Sequence, residues 1–310
     1  MNKDVLLSEK PIIKIVISAT RFANFGLLKE DWGEVYGLLQ GKIEGENVIV
    51  TDAIPFTHTK KDESELFLKV GFGPEDYVAA AELSEKIAPE FFVGWYHSHP
   101  NIDLFLSDFD NETQLGYQNQ NPDAIALVID PFLIIKNLDL DINSLEFNNE
   151  KTFGFKIFRL EGPEINLESK FYEVKWQFQG DIGSTREKIN SLIDKIPQFL
   201  PAQNLKARLE KFIELNNEKV KKQFYSLSDY INQIKKKDRK KRQEVFEKQY
   251  PDIKKFNDKL IEIIKTRIYF LDFVEYKEYN IRDEFIQRLN DLLSYVIEIN
   301  NKLEKLKNEI

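Results

Sequence analysis

The most constraining stretch of the chain runs from Phe91 to Asp110. It holds an apolar segment, two histidines one residue apart, a proline, and a serine and aspartate further on. Phe91, Phe92, Val93 and Trp95 make a short run rich in β-formers, which predicts a buried strand. Side chains at i and i+2 of a strand share a face, so His97 and His99 project together. Pro100 lacks the N–H that a ladder needs and ends the strand. Ser107 is a good helix N-cap, and the segment from Asp108 to Tyr117 reads as the helix it starts. Asp110 then falls in the first helical turn, from which its carboxylate can swing back toward the strand end. Two imidazoles and one carboxylate make a zinc site with its fourth position open, as catalytic zinc requires.

A plainer reading competes with this one. Ser107 and Asp110 have the spacing of a capping box, with Asp in place of Glu or Gln, and can serve simply to start a helix. His-x-His pairs also occur in proteins that bind no metal. Against that, the chain has three histidines and two of them stand in this one motif. The third, His58, lies in the polar stretch Thr57–Ser64 and reads as a solvated loop residue rather than a ligand.

His97-Ser98-His99-Pro100, then Ser107, then Asp110 resembles the metal motif of the JAMM/MPN+ metalloproteases, His-x-His-Pro-x(6)-Ser-x-x-Asp, at every defining position. The likeness extends through Val93-Gly94-Trp95-Tyr96 before the motif and Asn111-Glu112-Thr113-Gln114 after it. Ala126–Pro131 and Phe155–Leu160 look like the family's later strands. The resemblance covers roughly residues 10 to 180, and is greatest to the proteasome-lid deubiquitinase and its COP9-signalosome relative. That family also needs an upstream glutamate. Glu34 stands in that place, in Gly33-Glu34-Val35-Tyr36-Gly37, near a helix–strand junction.

The resemblance implies an α/β (α+β) MPN domain, with a central mixed β-sheet flanked by helices. It implies one catalytic zinc ion held by His97, His99 and Asp110, with Glu34 as general base and Ser107 donating to the developing oxyanion. The substrate it implies is an isopeptide bond between the C-terminal glycine of ubiquitin or a ubiquitin-like protein and a lysine. It further implies a tail-binding sheet edge at Leu66, Phe67, Leu68, Lys69 and Val70, where an extended peptide pairs by main-chain hydrogen bonds. Two segments depart from the family. Asn101-Ile102-Asp103 replaces a glycine-rich turn and brings a carboxylate near the site. Residues 137–150 are longer and more acidic than a tight connection, and read as a hairpin or a loop.

Composition divides the chain. Residues 1–182 carry 16 basic and 31 acidic side chains, net −15, whereas residues 183–310 are net +7. All thirteen glycines lie at or before Gly183. The expected organisation is therefore a catalytic domain over 1–182 and an all-α assembly region over 183–310. In the first, Pro11–Ser18 alternates and predicts a strand, Pro74–Lys86 a helix, and Ala124–Ile129 a buried strand. In the second, Phe285, Leu289, Leu292, Val296, Ile299, Leu303, Leu306 and Ile310 repeat at spacings of four and three, a heptad seam of coiled-coil type that wants a partner helix. Val220, Phe224, Leu227, Ile231 and Ile234 do the same upstream. The partner is the chain itself, a second copy in a homodimer, or another subunit, and the resemblance implies docking on a proteasome-type assembly. Pro197, Pro201 and Pro251 are expected to punctuate the helices.

Several classes are excluded. With no cysteine there are no disulfides and no thiolate zinc ligands. No run of eighteen apolar residues occurs, so no membrane helix is expected, and the N-terminus lacks the architecture of a signal peptide. A cytoplasmic protein is the expectation. The basic run Lys235–Arg242 has no aromatic side chains interleaved and reads as a solvated helix face or turn rather than a nucleic-acid site. Two functions then compete: a zinc isopeptidase, and a non-catalytic MPN scaffold subunit of a multiprotein complex. A scaffold predicts a degraded motif. All five residues are present here, which favours the enzyme.

Overall fold

The computed structural model describes residues 3–58, 74–138, 153–162, 164–234 and 238–310. Leu66–Val70, residues 139–150 of the acidic stretch, and residues 235–237 of the basic run lie outside the described residues. The chain divides into two compact units, one of residues 1–198 with 273–277, the other of residues 199–272 with 278–310.

The first unit is built on one eight-stranded mixed sheet. Its strands are β1 (Asp4–Ser8), β2 (Val35–Glu44), β3 (Asn47–His58), β4 (Phe91–Ser98), β5 (Ile125–Ile129), β6 (Phe155–Leu160), β7 (Phe171–Glu173) and β8 (Trp176–Gln179). They lie in the order β7-β6-β5-β4-β2-β3-β1-β8. The two edge strands are neighbours in sequence, separated only by Val174 and Lys175, so the sheet curls to bring its edges toward one another. β2 and β3 form a long hairpin closed by Gly45-Glu46, with Gly45 at φ +59°, a conformation that glycine takes without a Cβ clash. β2 also pairs antiparallel with β4, and β4 pairs parallel with β5. β4 therefore has a neighbour on each side, and its end is held in place.

Helices α1 (Glu9–Phe22), α2 (Pro74–Lys86), α3 (Asp108–Gln120), α4 (Pro131–Leu138) and α5 (Ile182–Ile193) flank the sheet. α1 corrects the sequence reading, since Pro11–Ser18 is helix and not strand. Its Ile12, Ile13, Ile15, Val16, Ile17 and Ser18 are all buried, and the helix packs on β3, β2 and β4 and on α4 and α5. The eight residues from Pro11 to Ser18 are crowded with β-branched Ile and Val and so mimic a strand, whereas the polar face of the helix, Lys10 and Lys14 paired with Asp52, is set by a four-residue spacing that only a longer window reveals. Pro11 is tolerated because it lies in the first turn, where backbone N–H groups have no helical partner anyway. α5 lies beyond the compositional boundary at residue 182 yet packs within this unit.

Residues 273–277 also belong to the first unit. Arg21 of α1 and Glu275 form an ion pair at 2.5 Å, with side chains 1% and 3% exposed. Tyr276 stacks on Phe56 at 5.0 Å, and Lys277 meets the buried Asp76 at 3.2 Å.

A short helix α6 (Ile196–Phe199) follows α5 in sequence. The second unit is all helical, with α7 (Leu205–Gln233), α8 (Arg239–Leu271) and α9 (Tyr279–Glu309). Phe285, Leu289, Leu292, Val296, Ile299 and Leu303 are buried, and α9 packs against both α7 and α8. The heptad seam thus finds its partner in the chain's own helices. Asn257, fully buried, donates to Asn300 at 2.8 Å and ties α8 to α9. Pro251 does not break a helix, because it sits inside α8. One missing N–H is outweighed by the buried stripe Phe246, Ile253, Leu260 and Ile264, which runs past it on both sides. No described helix is long and apolar enough to cross a membrane.

Candidate metal centre

β4 carries both imidazoles to one place. Tyr36 of β2 pairs with His97, Val128 of β5 pairs with it on the other side, and His99 N–H donates to the Ile129 carbonyl at 2.8 Å. The His97 ring lies flat on Trp95, two residues earlier on the same face, with centroids 4.8 Å apart and planes 14° apart. The His99 ring is held by its Nδ1, which donates to the backbone carbonyl of Asp103 at 3.0 Å. That bond fixes the neutral tautomer and leaves Nε2 with a lone pair. The contribution of Asp103 to the site is therefore its main chain.

Asp110 arrives from the first turn of α3. Its N–H donates to Ser107 Oγ at 3.2 Å, while Ser107 N–H and Oγ donate to Asp110 Oδ2 at 2.8 and 2.6 Å. The capping box and the ligand geometry are one and the same, since the bonds that start the helix also aim the carboxylate.

His97, His99 and Asp110 are 2%, 6% and 5% exposed. His97 Nε2 and His99 Nε2 stand 3.0 Å apart, His97 Nε2 lies 3.4 Å from Asp110 Oδ1, and His99 Nε2 lies 3.8 Å from Asp110 Oδ2. Four ligands at ordinary zinc bond lengths are separated by about 3.3 Å along each edge of the tetrahedron. The His97–His99 separation and the His97–Oδ1 separation lie close to that value, while His99 faces the other carboxylate oxygen, Oδ2. Facing ring nitrogens at such a distance require a proton or a cation between them. The donor set, two nitrogens and one carboxylate, fits zinc, and no other such group converges among the described residues.

Glu34 immediately precedes β2. Val35 N–H donates to Ser98 Oγ at 2.9 Å, and continuing the Tyr36–His97 register outward sets Glu34 across from His99. The side chain is buried, and burial pushes its acid up to about 7; His99 opposes the rise and the charge of Asp110 adds to it. Burial alone would raise Asp110 too. The charge on His97 and the hydrogen bonds from His97, His99 and Ser107 win, and hold Asp110 well below the usual carboxylate range. Burial pulls His97 down. It opposes charge on His99 as well, but bonds to Asp110 and the Asp103 carbonyl, with the charges of Asp110 and Glu34, leave His99 raised. Two carboxylates driven in opposite directions give one permanent anion and one group that exchanges a proton near neutrality.

The structure thus gathers Glu34, His97, His99, Ser107 and Asp110. The proposed tail-binding edge at Leu66–Val70 lies outside the described residues. His58 is a correction: it ends β3, half-buried, with its ring stacked on Phe22 at 3.9 Å, because the strand runs two residues further than the polar sequence suggests. Sequence reasoning also missed Asp130. Its carboxylate accepts from the N–H groups of Asn101 at 3.1 Å and Phe132 at 2.9 Å, and so anchors the loop that carries the Asp103 carbonyl. Asn101 at φ +57° is the one visible signal, an asparagine where a turn needs a left-handed residue.

Residues 1–123 match the family model described as "JAB1/Mov34/MPN/PAD-1 ubiquitin protease". COP9 signalosome complex subunit 5 of Neurospora crassa is 30% identical over 149 residues, which cover 46% of this chain and 40% of the relative. Subunit 5a of Arabidopsis thaliana is 32% identical over 131 residues, covering 42% and 34%. Subunit 5 of Drosophila melanogaster is 33% identical over 131 residues, covering 42% and 37%. The chain spans 34–40% of the length of these relatives.

Proposed function

We propose that this chain, which through residues 1–123 belongs to the JAB/MPN family, is a zinc-dependent isopeptidase. The bond it cleaves joins the C-terminal glycine of ubiquitin or a ubiquitin-like protein to a lysine. One observation carries the reading: a buried His97–His99–Asp110 cluster with a carboxylic acid poised near neutrality, Glu34, in electrostatic contact with it.

Zinc, when bound, supplies a Lewis acid and lowers the pKa of water to about 7. His97 and His99 would hold it through Nε2, and Asp110 through its carboxylate. Glu34 takes the proton from the attacking water and returns it to the departing lysine amine, a poor leaving group that needs an acid. Ser107 has a single hydroxyl proton. It goes to Asp110 Oδ2 in this structure, and rotation about the Cβ–Oγ bond would redirect it to the oxyanion. The helical region docks the enzyme onto a multisubunit assembly of signalosome or proteasome-lid type in the cytoplasm. The similarity to signalosome subunits supports the first type, and the resemblance in sequence suggests the second. Retention of all five site residues weighs against a purely structural scaffold.

The test is incubation of the full-length, zinc-loaded chain with a ubiquitin-like protein linked through its C-terminal glycine to a lysine. Cleavage abolished by a zinc chelator and by Glu34→Gln is expected. Cleavage that survives either one would remove the proposed chemistry.

A further inference from the structure

The buried residues of α3 are Asp110, Gln114 and Gln118, spaced by four and polar throughout. A helix ordinarily seats on a sheet through an apolar stripe at such positions. Here the seat is hydrogen bonded. Gln114 Oε1 accepts from Trp95 Nε1 at 2.8 Å, and Gln114 Nε2 donates to Gln118 Oε1 at 2.8 Å and to the Ala124 carbonyl at 2.9 Å. Gln118 accepts from Leu160 N–H at 2.7 Å and donates to the Leu160 carbonyl at 3.2 Å, docking on the end of β6 much as a neighbouring strand would.

Gln114 links the two halves of the metal cluster. Trp95 belongs to β4 and is the platform under His97. Asp110 lies one turn before Gln114 on α3, about 40° away around the helix axis. We infer that Gln114 is a positioning residue for the metal centre, fixing the rotation of α3 so that Asp110 closes on His97 and His99. The inference rests on the zinc reading of the site. A side chain reaches about 5–6 Å from the helix axis, so a rotation of about 20° displaces the Asp110 carboxylate by about 2 Å. Metal–ligand distances tolerate about 0.2 Å. A small slip of the helix therefore removes the ligand, and an anchor at position 114 resists that slip with nearly the lever arm of the ligand itself. The amide suits this task because it fills both donors and one acceptor direction at a single rotation.

The experiment compares the full-length wild-type chain with Gln114→Met and Trp95→Phe. Gln114→Met keeps side-chain length while removing all three bonds. Trp95→Phe keeps an aromatic platform and removes one bond. Zinc affinity is measured by chelator competition, and ligand geometry by the visible spectrum of the cobalt(II)-loaded chain. With wild-type far-UV circular dichroism retained, Gln114→Met is expected to bind zinc at least about tenfold more weakly and to shift the cobalt bands, with Trp95→Phe between it and wild type. Folded variants with zinc affinity within about twofold of wild type and unchanged cobalt bands would overturn the inference alone. If Gln114→Met does not fold, Gln114→Glu, which keeps the side-chain length and the acceptor for Trp95 but loses both donors, decides by the same two readouts. A wild-type chain that binds neither ion overturns the zinc reading, and this inference with it.

Discussion

Ser107 and Asp110 exchange three hydrogen bonds across the first turn of α3, and the same carboxylate faces the Nε2 atoms of His97 and His99. A helix cap and a metal ligand are thus one residue, so folding of the turn and assembly of the site are coupled. Stability and chemistry can still be separated at Ser107. Ser107→Ala is expected to lower stability by about 1 kcal/mol, from the lost cap, and kcat by about 100-fold or more, from the lost oxyanion donor. Ser107→Gly keeps a tolerated N-cap without any side-chain donor, so it restores most of the stability while kcat stays low. Urea denaturation and steady-state kinetics on both variants check this. Full activity in Ser107→Gly would leave the residue a cap and nothing more.

Glu34 carries the pH dependence. As a base it must be ionised, and its acid is held up to about 7. That value is for the metal-free site, and a bound cation favours the ionised carboxylate, so kcat/KM is expected to rise about tenfold per pH unit up to a Glu34 pKa below about 7 and to level off above it. Single-turnover cleavage by Glu34→Gln at the wild-type rate would exclude Glu34 as the group that takes the proton.

The same shift sets a stability effect of known sign. A carboxyl raised from 4.5 unfolded to about 7 folded disfavours the native state once it ionises. The penalty is absent below pH 4.5, grows between 4.5 and about 7, and is constant above, reaching on the order of 3 kcal/mol. Glu34→Gln should therefore stabilise the metal-free chain at pH 8 and have little effect at pH 4. Denaturation midpoints at the two pH values measure the difference, and equal midpoints would show that Glu34 is not held in an unfavourable state.

Glu275 is a further point of attack. It and Arg21 are both almost wholly buried, so Glu275→Gln leaves a guanidinium charge uncompensated and is expected to cost about 3–5 kcal/mol. Replacing both, as Arg21→Met with Glu275→Met, should recover most of that loss. Chemical denaturation of the full-length chain distinguishes the two results. A single variant as stable as wild type would mean that the pair contributes nothing.

Legibility in the sequence followed local signals. The β4–α3 segment was readable because strand pattern, proline, N-cap and ligand types all agree within twenty residues. α2 and β5 were readable from flanking turns and apolar runs, and β6 only through the family resemblance. α1 was not, because its β-branched Ile and Val run reads as strand over eight residues, and the four-residue spacing of Lys10 and Lys14 shows only over the whole helix. The seat of α3 was hidden for a different reason: its buried stripe is Asp110, Gln114 and Gln118, which hydropathy scores as surface. Residues 273–277 give no compositional sign that they leave the helical pattern to pair with Arg21 and Phe56, contacts more than two hundred residues away in sequence. Glu34 had meaning only through resemblance. Its chemistry comes from where β2 meets β4, a long-range register that no local window contains.

The most direct measurement is the zinc content of the purified full-length chain, by native mass spectrometry, for wild type and for Asp110→Ala. One zinc per wild-type chain and none in the variant is the expected result. A wild-type chain that takes up no zinc from a zinc-buffered solution, or a variant that still holds one, would contradict His97, His99 and Asp110 as a metal centre.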